Sequence, residues 1–482
     1  MHGMSLASIL GPDGTIASRL NRYEQRPQQV RMAEAVGAAI ADRRHLMVEA
    51  GTGVGKSFAY LVPAILAATA DKDCKVVIST HTISLQEQLV RKDIPFLQTV
   101  MPQEFRAVLV KGRSNYLSLR RLRGAQQRMG TLLAEDNAVE QLLQIGKWSR
   151  QTRDGSKSDL AFQPLPSVWD LVESDSGNCL GRKCPDYDKC FYFKARRQIY
   201  GANVLVVNHA LFFSDLALRR EGASLLPDYR VVIFDEAHTL EDVASEHLGV
   251  RVTRGSVEYL LNKLYSPRTN RGLLAYFGTN ESLRQVDAVR FAADTFLNNV
   301  LAWHAAQPRN TARQAPRGNA EALRVRQTEI VSDPLSEELK KLATLLDGIA
   351  KGREADEEQI ELTSAAERCR GLALGLKTWL GQLLDGQVYW VEFSGERVRR
   401  IELASAPIEV GPSLQEYLYS KVPTVVLTSA TLSVGGRGGF RHLQQRLGLT
   451  DCQTLQLGSP FNFREQAELH LFRQMPDPTD AH

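Results

Sequence analysis

The stretch from Ala50 to Ser57 reads Ala-Gly-Thr-Gly-Val-Gly-Lys-Ser, and it joins an apolar run at 45–49 to a helical pattern at 58–68. A strand, a glycine-rich loop and a helix in this order are typical of a phosphate-binding loop, because glycines let backbone N–H groups approach phosphate oxygens. In such a loop Lys56 reaches the β and γ phosphates, and the Ser57 hydroxyl is a ligand of Mg²⁺. The predicted nucleotide-binding residues of the loop are Gly51, Thr52, Gly53, Val54, Gly55, Lys56 and Ser57.

A pair of carboxylates, Asp235 and Glu236, follows a β-branched apolar run at 231–234. Parallel strands present ligand-binding groups at their carboxyl ends, so we expect this pair to lie beside the loop. Asp235 would hold Mg²⁺ through water, and Glu236 would orient and deprotonate the attacking water, which completes a catalytic set with Lys56. Each motif alone has a simpler interpretation, a glycine-rich turn for the first and a solvated acidic helix start for the second. Their combination favours nucleotide hydrolysis.

Composition sets the outer bounds of the interpretation. Hydrophobic residues make up 43% of the chain and charged residues 24%, as in globular proteins. The length of 482 residues predicts about three domains. No stretch approaches the roughly 18 apolar residues that span a bilayer, and the first 25 residues lack a basic start followed by an apolar core. We therefore expect a cytoplasmic protein with no membrane partner. The net charge of +4 does not by itself indicate nucleic acid.

Strand and helix patterns alternate through the first half of the chain, which predicts a parallel α/β sheet. The predicted strands are 45–49, 75–79, 106–110 and 203–207. From about 250 to 385 long helical patterns dominate, and we interpret this part as an α-helical insertion with a polar loop at 307–319. The runs 388–393 and 397–404 predict a hairpin, and the run 424–427 predicts another core strand that ends in hydroxyl residues.

Three of the six cysteines, Cys179, Cys184 and Cys190, lie within a dozen residues. Soft thiolates bind zinc and iron–sulfur centres, so this clustering favours a shared metal. Three ligands do not complete a four-cysteine site, so an iron–sulfur cluster, zinc or another metal, and no metal all stay open. For the remaining thiols we expect ordinary packing or incidental exposure; they are Cys74, Cys369 and Cys452.

Aromatic and basic residues are interleaved around these cysteines. Such a mixture suits the stacking of bases and the tracking of phosphates, and it equally suits an amphipathic helix packed on a sheet. The residues concerned are Arg182, Lys183, Tyr187, Lys189, Phe191, Tyr192, Phe193, Lys194, Arg196 and Arg197.

Taken together, the motifs resemble the DinG and XPD-like family of superfamily 2 DNA helicases, most closely its bacterial DinG-type members. The resemblance runs from about Ile9 to the C-terminus, and the motifs occur in the family's order. They are the segments 23–29, 49–57, 79–82 and 111–116, the cysteine trio, and the segments 207–210, 235–238, 427–432 and 458–461. The resemblance implies a RecA-like motor that hydrolyses ATP, moves 5′ to 3′ along single-stranded DNA and separates duplexes.

The resemblance also implies roles for individual residues. Arg26 and Gln29 correspond to the pair that reads adenine in the family. The residues that correspond to the family's coupling elements, which link the state of the γ-phosphate to DNA, are His238, Thr428 and Ser429. The residues that correspond to the family's contacts with single-stranded DNA are Thr80, His81, Lys111 and Arg113. The cysteine loop is similar to part of a 4Fe-4S domain, and the helical insertion is similar to an arch domain.

The implied fold is an α/β RecA-like lobe with a parallel sheet, interrupted by a cysteine-loop insertion and an α-helical arch insertion, followed by only the start of a second RecA-like lobe. In chain order the units are lobe 1 at 1–112, the Fe–S-type cysteine domain at 113–190, lobe 1 again at 191–248, the mainly helical arch at 249–404, the last part of lobe 1 at 405–436 and the start of a truncated lobe 2 at 437–482.

Two features depart from the family pattern. Ser118 stands where cluster-bearing members usually have their first cysteine ligand, and a serine oxygen is a harder and far less acidic ligand than a thiolate. In addition, we expect the chain to lack most of the second lobe, which in the family carries the arginines that reach the γ-phosphate.

The predicted function of the parent protein is that of an ATP-dependent DNA helicase whose ATPase is stimulated by single-stranded DNA. The predicted cofactors are ATP, Mg²⁺ and an Fe–S cluster, and the predicted partners are single-stranded DNA and forked or duplex DNA. The alternative is a truncated nucleotide- and DNA-binding module without unwinding activity.

Overall fold

The computed structural model describes residues 6–20, 23–133, 135–220, 222–307, 321–395, 400–433 and 439–471. The strands are β1 (Leu46–Ala50), β2 (Val76–Thr80), β3 (Ala107–Leu109), β4 (Val204–Asn208), β5 (Val231–Asp235), β6 (Arg251–Thr253), β7 (Glu321–Val325), β8 (Gln387–Ser394), β9 (Arg400–Pro407), β10 (Thr424–Ser429) and β11 (Gln453–Leu457). The α-helices are α1 (Leu6–Leu10), α2 (Pro27–Asp42), α3 (Lys56–Ala70), α4 (Ile83–Gln88), α5 (Ile94–Val100), α6 (Leu119–Gln127), α7 (Met129–Leu132), α8 (Asp136–Trp148), α9 (Pro166–Val172), α10 (Phe191–Tyr200), α11 (His209–Arg220), α12 (Leu240–Leu248), α13 (Arg254–Leu264), α14 (Leu273–Phe277), α15 (Asn280–Ala305), α16 (Pro334–Lys351), α17 (Asp356–Leu380), α18 (Gly411–Leu414), α19 (Arg441–Leu447) and α20 (Phe463–Gln466).

One seven-stranded sheet organises the lobe, in the order β11-β1-β10-β5-β2-β4-β3, and all neighbouring strands run parallel. Its central strands are rich in Val, Ile and Leu and are buried on both faces, as a parallel sheet between two helical layers requires. One face packs against α2 and α3, and the other packs against α11 and α12. The predicted α/β fold with a parallel sheet is confirmed.

The carboxyl ends of β1, β10 and β5 lie side by side, because these strands are neighbours in the sheet. Glu49 on β1 is in register with Ser429 on β10. Thr428 on β10 is in register with Asp235 on β5. The sheet order therefore brings together three motifs that lie far apart in the sequence.

Local signals explain where several helices begin. Pro27 occupies the first turn of α2, where its missing N–H leaves no hydrogen bond unmade. Thr253 and Thr279 begin α13 and α15 with capping boxes, in which each threonine side chain accepts from the backbone N–H three residues later. Asp333 caps α16 in the same way and is followed by Pro334.

The two insertions have hydrophobic cores of their own. The core of the cysteine unit is formed by apolar residues between Tyr116 and Phe191, from α6, α8 and α9 among others. In the second insertion, α13 and α15 to α17 pack against an antiparallel sheet of order β6-β9-β8-β7. The predicted hairpin is present as β8 and β9, whereas β6 and β7 were not predicted. The predicted polar loop falls mostly on 308–320, outside the described residues.

Ion pairs join the two insertions. Arg128 of the cysteine unit pairs with Glu361 at 2.7 Å, and Arg368 of α17 pairs with Asp175 at 2.6 Å. The insertions are thus in direct contact with each other as well as with the lobe.

That 437–482 begins a second lobe stays a prediction, although the structure places 453–457 in the sheet of lobe 1. Strand β11 pairs in parallel with β1 and is the edge of the lobe 1 sheet. Its alternating, half-exposed sequence, Gln-Thr-Leu-Gln-Leu, lacks the continuous apolar run by which the central strands were found. Within the described part of the chain, no helix is both long enough and apolar enough to cross a membrane.

Candidate nucleotide and nucleic-acid site

The phosphate loop connects β1 to α3, and two of its glycines have backbone angles that few other residues adopt. The φ angle is +86° at Gly53 and +81° at Gly55, in the left-handed region that glycine enters without strain. A Cβ at Gly53 would lie 2.4 Å from ring carbons of Phe461, and one at Gly55 would lie 2.1 Å from Nε2 of Gln29. The backbone angle at each position therefore favours glycine, and an added Cβ would also displace the end of a neighbouring side chain.

The catalytic candidates converge beside this loop. Nζ of Lys56, the first residue of α3, lies 4.0 Å from Oε1 of Glu236. The buried Asp235 accepts a hydrogen bond from the Tyr60 hydroxyl at 3.0 Å and another from the backbone N–H of Glu236 at 3.0 Å. Glu236 has a φ angle of +57°, which costs a non-glycine residue roughly 1–3 kcal/mol. Such local strain at the end of a buried strand is typical of a functional site.

The electrostatics around Asp235 suit a bound cation. Burial, and secondly the charge of Glu236, raise the pKa of Asp235 to about 6, although Lys56 and the Tyr60 hydroxyl act in the opposite direction. In addition, the buried Oγ1 of Thr428, the neighbour of Asp235 in the sheet, has no hydrogen-bond partner among the described residues. Carboxylate and hydroxyl oxygens are the ligands that Mg²⁺ prefers, so this donor set fits that ion.

Ser429 connects Glu236 to His238. Its hydroxyl donates to Oε2 of Glu236 at 3.1 Å and lies 2.8 Å from Nδ1 of His238. The His238 ring is half exposed, whereas Ser429 is fully buried. The structure therefore brings together the residues for which the sequence predicts coupling roles, in a chain of contacts that runs from the catalytic carboxylate to the surface.

A cavity of about 240 Å³ adjoins Gly55 and Ser57 and is lined by Tyr23, Arg26 and Gln29. Nε2 of Gln29 donates to the carbonyl oxygen of Gly55 at 3.0 Å, so this residue is bound directly to the phosphate loop. Arg26 pairs with the exposed Glu24 at 3.3 Å. The predicted adenine-reading pair thus lies at the mouth of a cavity that leads to the loop.

The four residues predicted to contact DNA have different environments. Thr80 is fully buried, and its hydroxyl turns to the carbonyl of Thr82, whereas His81 is exposed. Nζ of Lys111 donates to the hydroxyls of Ser156 and Ser158, at 2.6 and 2.7 Å. The structure therefore presents His81 to solvent but uses Thr80 and Lys111 in internal contacts.

Arg113, at the start of the cysteine unit, contacts the aromatic residues at the start of α10. Its Nε donates to the Ser174 hydroxyl at 3.0 Å, and its guanidinium carbon lies 4.3 Å from the ring centroid of Tyr192. The interleaved aromatic residues are partly packed on one another, since the rings of Tyr187 and Phe193 are 4.7 Å apart. Both interpretations of this stretch thus find support, because α10 buries Phe191, whereas Tyr192 and Phe193 are only partly buried.

The cysteine loop does not form a metal site as placed. Cys179, Cys184 and Cys190 are free thiols and partly buried. The Ser118 hydroxyl accepts from the backbone N–H of Arg121 at 3.4 Å, as the N-cap of α6. Among the described residues, which include every cysteine, no three His, Cys, Asp or Glu side chains are arranged to hold a metal ion. The predicted iron–sulfur site is therefore not supported by this geometry.

Sequence reasoning assigned no role to several residues that the structure places in the site. Tyr60 lies one helical turn after Lys56, which is a spacing that puts both on one face of α3. Asp93 is buried against the nucleotide cavity, and burial raises the pKa of its carboxyl. Glu49, two residues before the loop, bonds to the segment after β10. The signal for Tyr60 was available in the sequence, whereas the other two depend on tertiary contacts.

Comparison with known proteins identifies relatives of the chain. The family model described as DEAD_2 matches residues 78–257. The chain is 32% identical to the ATP-dependent DNA helicase YoaA of Haemophilus influenzae, over 98% of the chain and 69% of that protein. It is 33% identical to YoaA of Escherichia coli, over 96% of the chain and 68% of that protein.

A more distant relative is the ATP-dependent helicase DinG of Mycobacterium tuberculosis, which is 30% identical over 94% of the chain and 67% of that protein. A solved XPD helicase aligns with 92% of this chain, which covers 63% of that structure, with 13% identity and a TM-score of 0.48. The chain thus spans about two thirds of the length of its matched relatives. On the strength of the YoaA matches, it belongs to the helicase family that includes YoaA and DinG.

Proposed function

We propose that this chain is the ATP-hydrolysing part of an ATP-dependent DNA helicase. The observation that carries the proposal is the convergence of Lys56, Asp235 and Glu236 at the carboxyl edge of one parallel sheet, next to a loop in which Gly53 and Gly55 have positive φ angles. The YoaA relatives are named as ATP-dependent DNA helicases, and the DinG relative is named as an ATP-dependent helicase. Because the chain spans about two thirds of their length, unwinding by the whole protein is part of the proposal.

Nucleotide binding would use the loop and the cavity beside it. The backbone N–H groups of 51–55 and the start of α3 provide partial positive charge for phosphates, and Lys56 adds a full charge. Arg26 and Gln29 line the cavity in which the base would lie. Since Gln29 also donates to Gly55, a base bound in the cavity would affect the position of the phosphate loop through this hydrogen bond.

Hydrolysis would depend on the two carboxylates. We propose Ser57 and Asp235 as the residues that hold Mg²⁺, which when bound neutralises charge on the phosphates. Glu236 is held by Ser429 at 3.1 Å and faces Lys56 at 4.0 Å, so its carboxylate is oriented toward the phosphate loop. From this position it would orient a water molecule and accept its proton.

Coupling to DNA would follow the contacts of Ser429. A change at Glu236 on loss of the γ-phosphate alters the hydrogen bond to Ser429, and Ser429 in turn contacts the half-exposed His238. For DNA contact we propose the exposed His81 and the stacked Arg113, with single-stranded DNA as the partner that stimulates hydrolysis and forked or duplex DNA as substrate. A DNA-dependent motor acts where DNA is, which supports the predicted cytoplasmic location.

A cluster of the 4Fe-4S type at Cys179, Cys184 and Cys190 stays a proposal, and no step of the mechanism depends on it. Anaerobic purification followed by assay of iron and acid-labile sulfide tests it. Iron and sulfide in equal amounts in the wild-type protein, lost in Cys184→Ser, would support a cluster. A Ser118→Cys variant would then raise cluster occupancy, because thiolate is the softer and more acidic ligand. Absence of iron and sulfide in the wild-type protein and in Ser118→Cys would refute the proposed cluster.

The proposed function is tested by Mg²⁺-dependent ATP hydrolysis in the wild-type chain, Glu236→Gln and Lys56→Ala. Glu236→Gln should bind ATP but hydrolyse it at least about 100-fold more slowly, because the proton acceptor is lost. Lys56→Ala should lose ATP binding itself, since the cation that faces the phosphates is removed. Hydrolysis by wild-type protein that survives in both variants would show that the reaction occurs elsewhere.

A further inference from the structure

Glu49 is the penultimate residue of β1, and its carboxylate accepts four hydrogen bonds. Oε2 accepts from the backbone N–H groups of Leu432 and Ser433, at 2.7 and 2.6 Å. Oε1 accepts from the Ser433 hydroxyl at 3.0 Å and from Nε2 of Gln456 at 2.7 Å. The partners belong to the segment after β10 and to β11, so one side chain connects three adjacent strands of the sheet.

These contacts are directional and strong. A hydrogen bond to an ionised acceptor is about twice as strong as a bond between neutral groups. Although burial by itself acts the other way, the bonds from Ser433 and Leu432 lower the pKa of Glu49 overall, so the carboxylate is ionised at neutral pH. The segment that contains Leu432 and Ser433 is therefore tied to the end of β1 by its own backbone.

Glu49 lies close in the chain to the phosphate loop and, across the sheet, to Ser429. Gly51, two residues later, begins the phosphate loop, and Ser429, in register with Glu49 on the neighbouring strand, holds Glu236 and contacts His238. Glu49 thus lies between the phosphate loop and the segment that follows Ser429. The same carboxylate bonds to β11, whose continuation places Phe461 against Gly53.

We propose that Glu49 is a positioning residue that holds Ser429, and through it Glu236, in the hydrolytic arrangement and transmits movement of the phosphate loop to the coupling residues. This inference rests on the proposed function. Glu49 touches neither of the Mg²⁺ candidates, Ser57 and Asp235, by hydrogen bond in the described part of the chain. Its loss should therefore change the rate of hydrolysis more than the affinity for ATP.

The test is Glu49→Gln, which keeps the size of the side chain but replaces one acceptor oxygen by an NH₂ donor. The remaining oxygen can still accept from the two backbone N–H groups, and the Ser433 hydroxyl and the Gln456 amide can turn to accept from the new NH₂, so what Glu49→Gln removes is the charge that strengthens all four bonds. We expect kcat with single-stranded DNA to fall at least about tenfold while KM for ATP stays within about threefold. Gln456→Ala, which removes the amide that donates to Glu49 and to the Ser433 hydroxyl but leaves the charge and the two backbone bonds, is the matched control and should stay within about twofold of wild type.

A double-mutant cycle separates transmission from mere packing. If Glu49 acts through Ser429, the effects of Glu49→Gln and Ser429→Ala on kcat should not add, because both remove the same positioning of Glu236. The inference would be overturned if the two substitutions lowered kcat independently, so that the double variant showed the product of the two fold-changes. It would also be overturned if Glu49→Gln had the kcat of the wild type, whether or not its KM for ATP rose. If Glu49→Gln does not fold, Glu49→Asp replaces it; its retained charge and shorter reach should give the same pattern at smaller size. A wild-type chain that does not hydrolyse ATP would instead refute the proposed function.

Discussion

Replacing Asp235 by Asn should stabilise the folded chain in the absence of metal. The pKa of Asp235 is raised from 3.8 to about 6 by burial and by the charge of Glu236. A rise of about two units means that ionising this carboxyl in the folded state costs about 3 kcal/mol more than in the unfolded state. Asn keeps the shape and the acceptor for the N–H of Glu236, and the Tyr60 hydroxyl can rotate to accept from its NH₂ group.

The sign and the pH window follow from the raised pKa. Because the folded state holds this proton more tightly, wild-type stability falls as pH rises through about 4 to 6. The gain from Asp235→Asn should therefore be about 3 kcal/mol at pH 8 and only about half of that at pH 5. ATP hydrolysis should be lost at both values.

Hydrogen exchange of peptides that cover β5, with EDTA present, is the appropriate assay. The tryptophans, at 148, 169, 303, 379 and 390, all lie in the insertions, so their fluorescence does not report on the sheet. Asp73→Asn, at a carboxylate that is 84% exposed, is the control and should change stability by less than about 0.5 kcal/mol. An Asp235→Asn variant that is no more stable at pH 8, or equally stabilised at both pH values, would refute the reasoning.

Two further predictions concern Tyr60, which contacts this carboxylate, and Gly53 of the phosphate loop. Tyr60→Phe removes the hydroxyl that lowers the pKa of Asp235, so as the pH falls protons should begin to compete with Mg²⁺ at a higher pH than in the wild type. Near pH 6.5 the variant should therefore need more Mg²⁺ for half-maximal hydrolysis, whereas the wild type should be unaffected. An unchanged Mg²⁺ titration would contradict this prediction. Gly53→Ala should raise KM for ATP at least about tenfold, because Ala is strained at a φ of +86° and its Cβ meets the ring of Phe461. In the double variant with Phe461→Ala, only the backbone strain should remain, and KM should recover in part; no recovery would mean that the ring contact has no effect.

The sequence was sufficient where chemistry and periodicity coincide. The apolar runs of β1, β5 and β10, each followed by glycine, carboxylate or hydroxyl residues, predicted both the parallel sheet and the edge at which the site lies. It was insufficient for β11, because an edge strand needs only one apolar face and its alternation is too short to distinguish from a loop. The strands β6 and β7 of the second insertion were not predicted for the same reason, since they are the edge strands of their sheet.

Individual contacts in the site could not be predicted, because they depend on which segments meet in space. The fully buried position of Thr80 follows from its place at the end of the central strand β2. Lys111 is satisfied by two serines more than 40 residues later in the chain. The four bonds to Glu49 come from residues more than 380 positions away. No spacing rule within one sequence encodes such distances.

The most direct test of the account is the rate of ATP hydrolysis by this chain with and without single-stranded DNA, measured beside Lys56→Ala. The account predicts hydrolysis that DNA increases severalfold and that the substitution abolishes, because the same edge of the sheet binds the nucleotide and the coupling residues. ATP binding without DNA-stimulated turnover would contradict it, and would leave the chain as a nucleotide- and DNA-binding module.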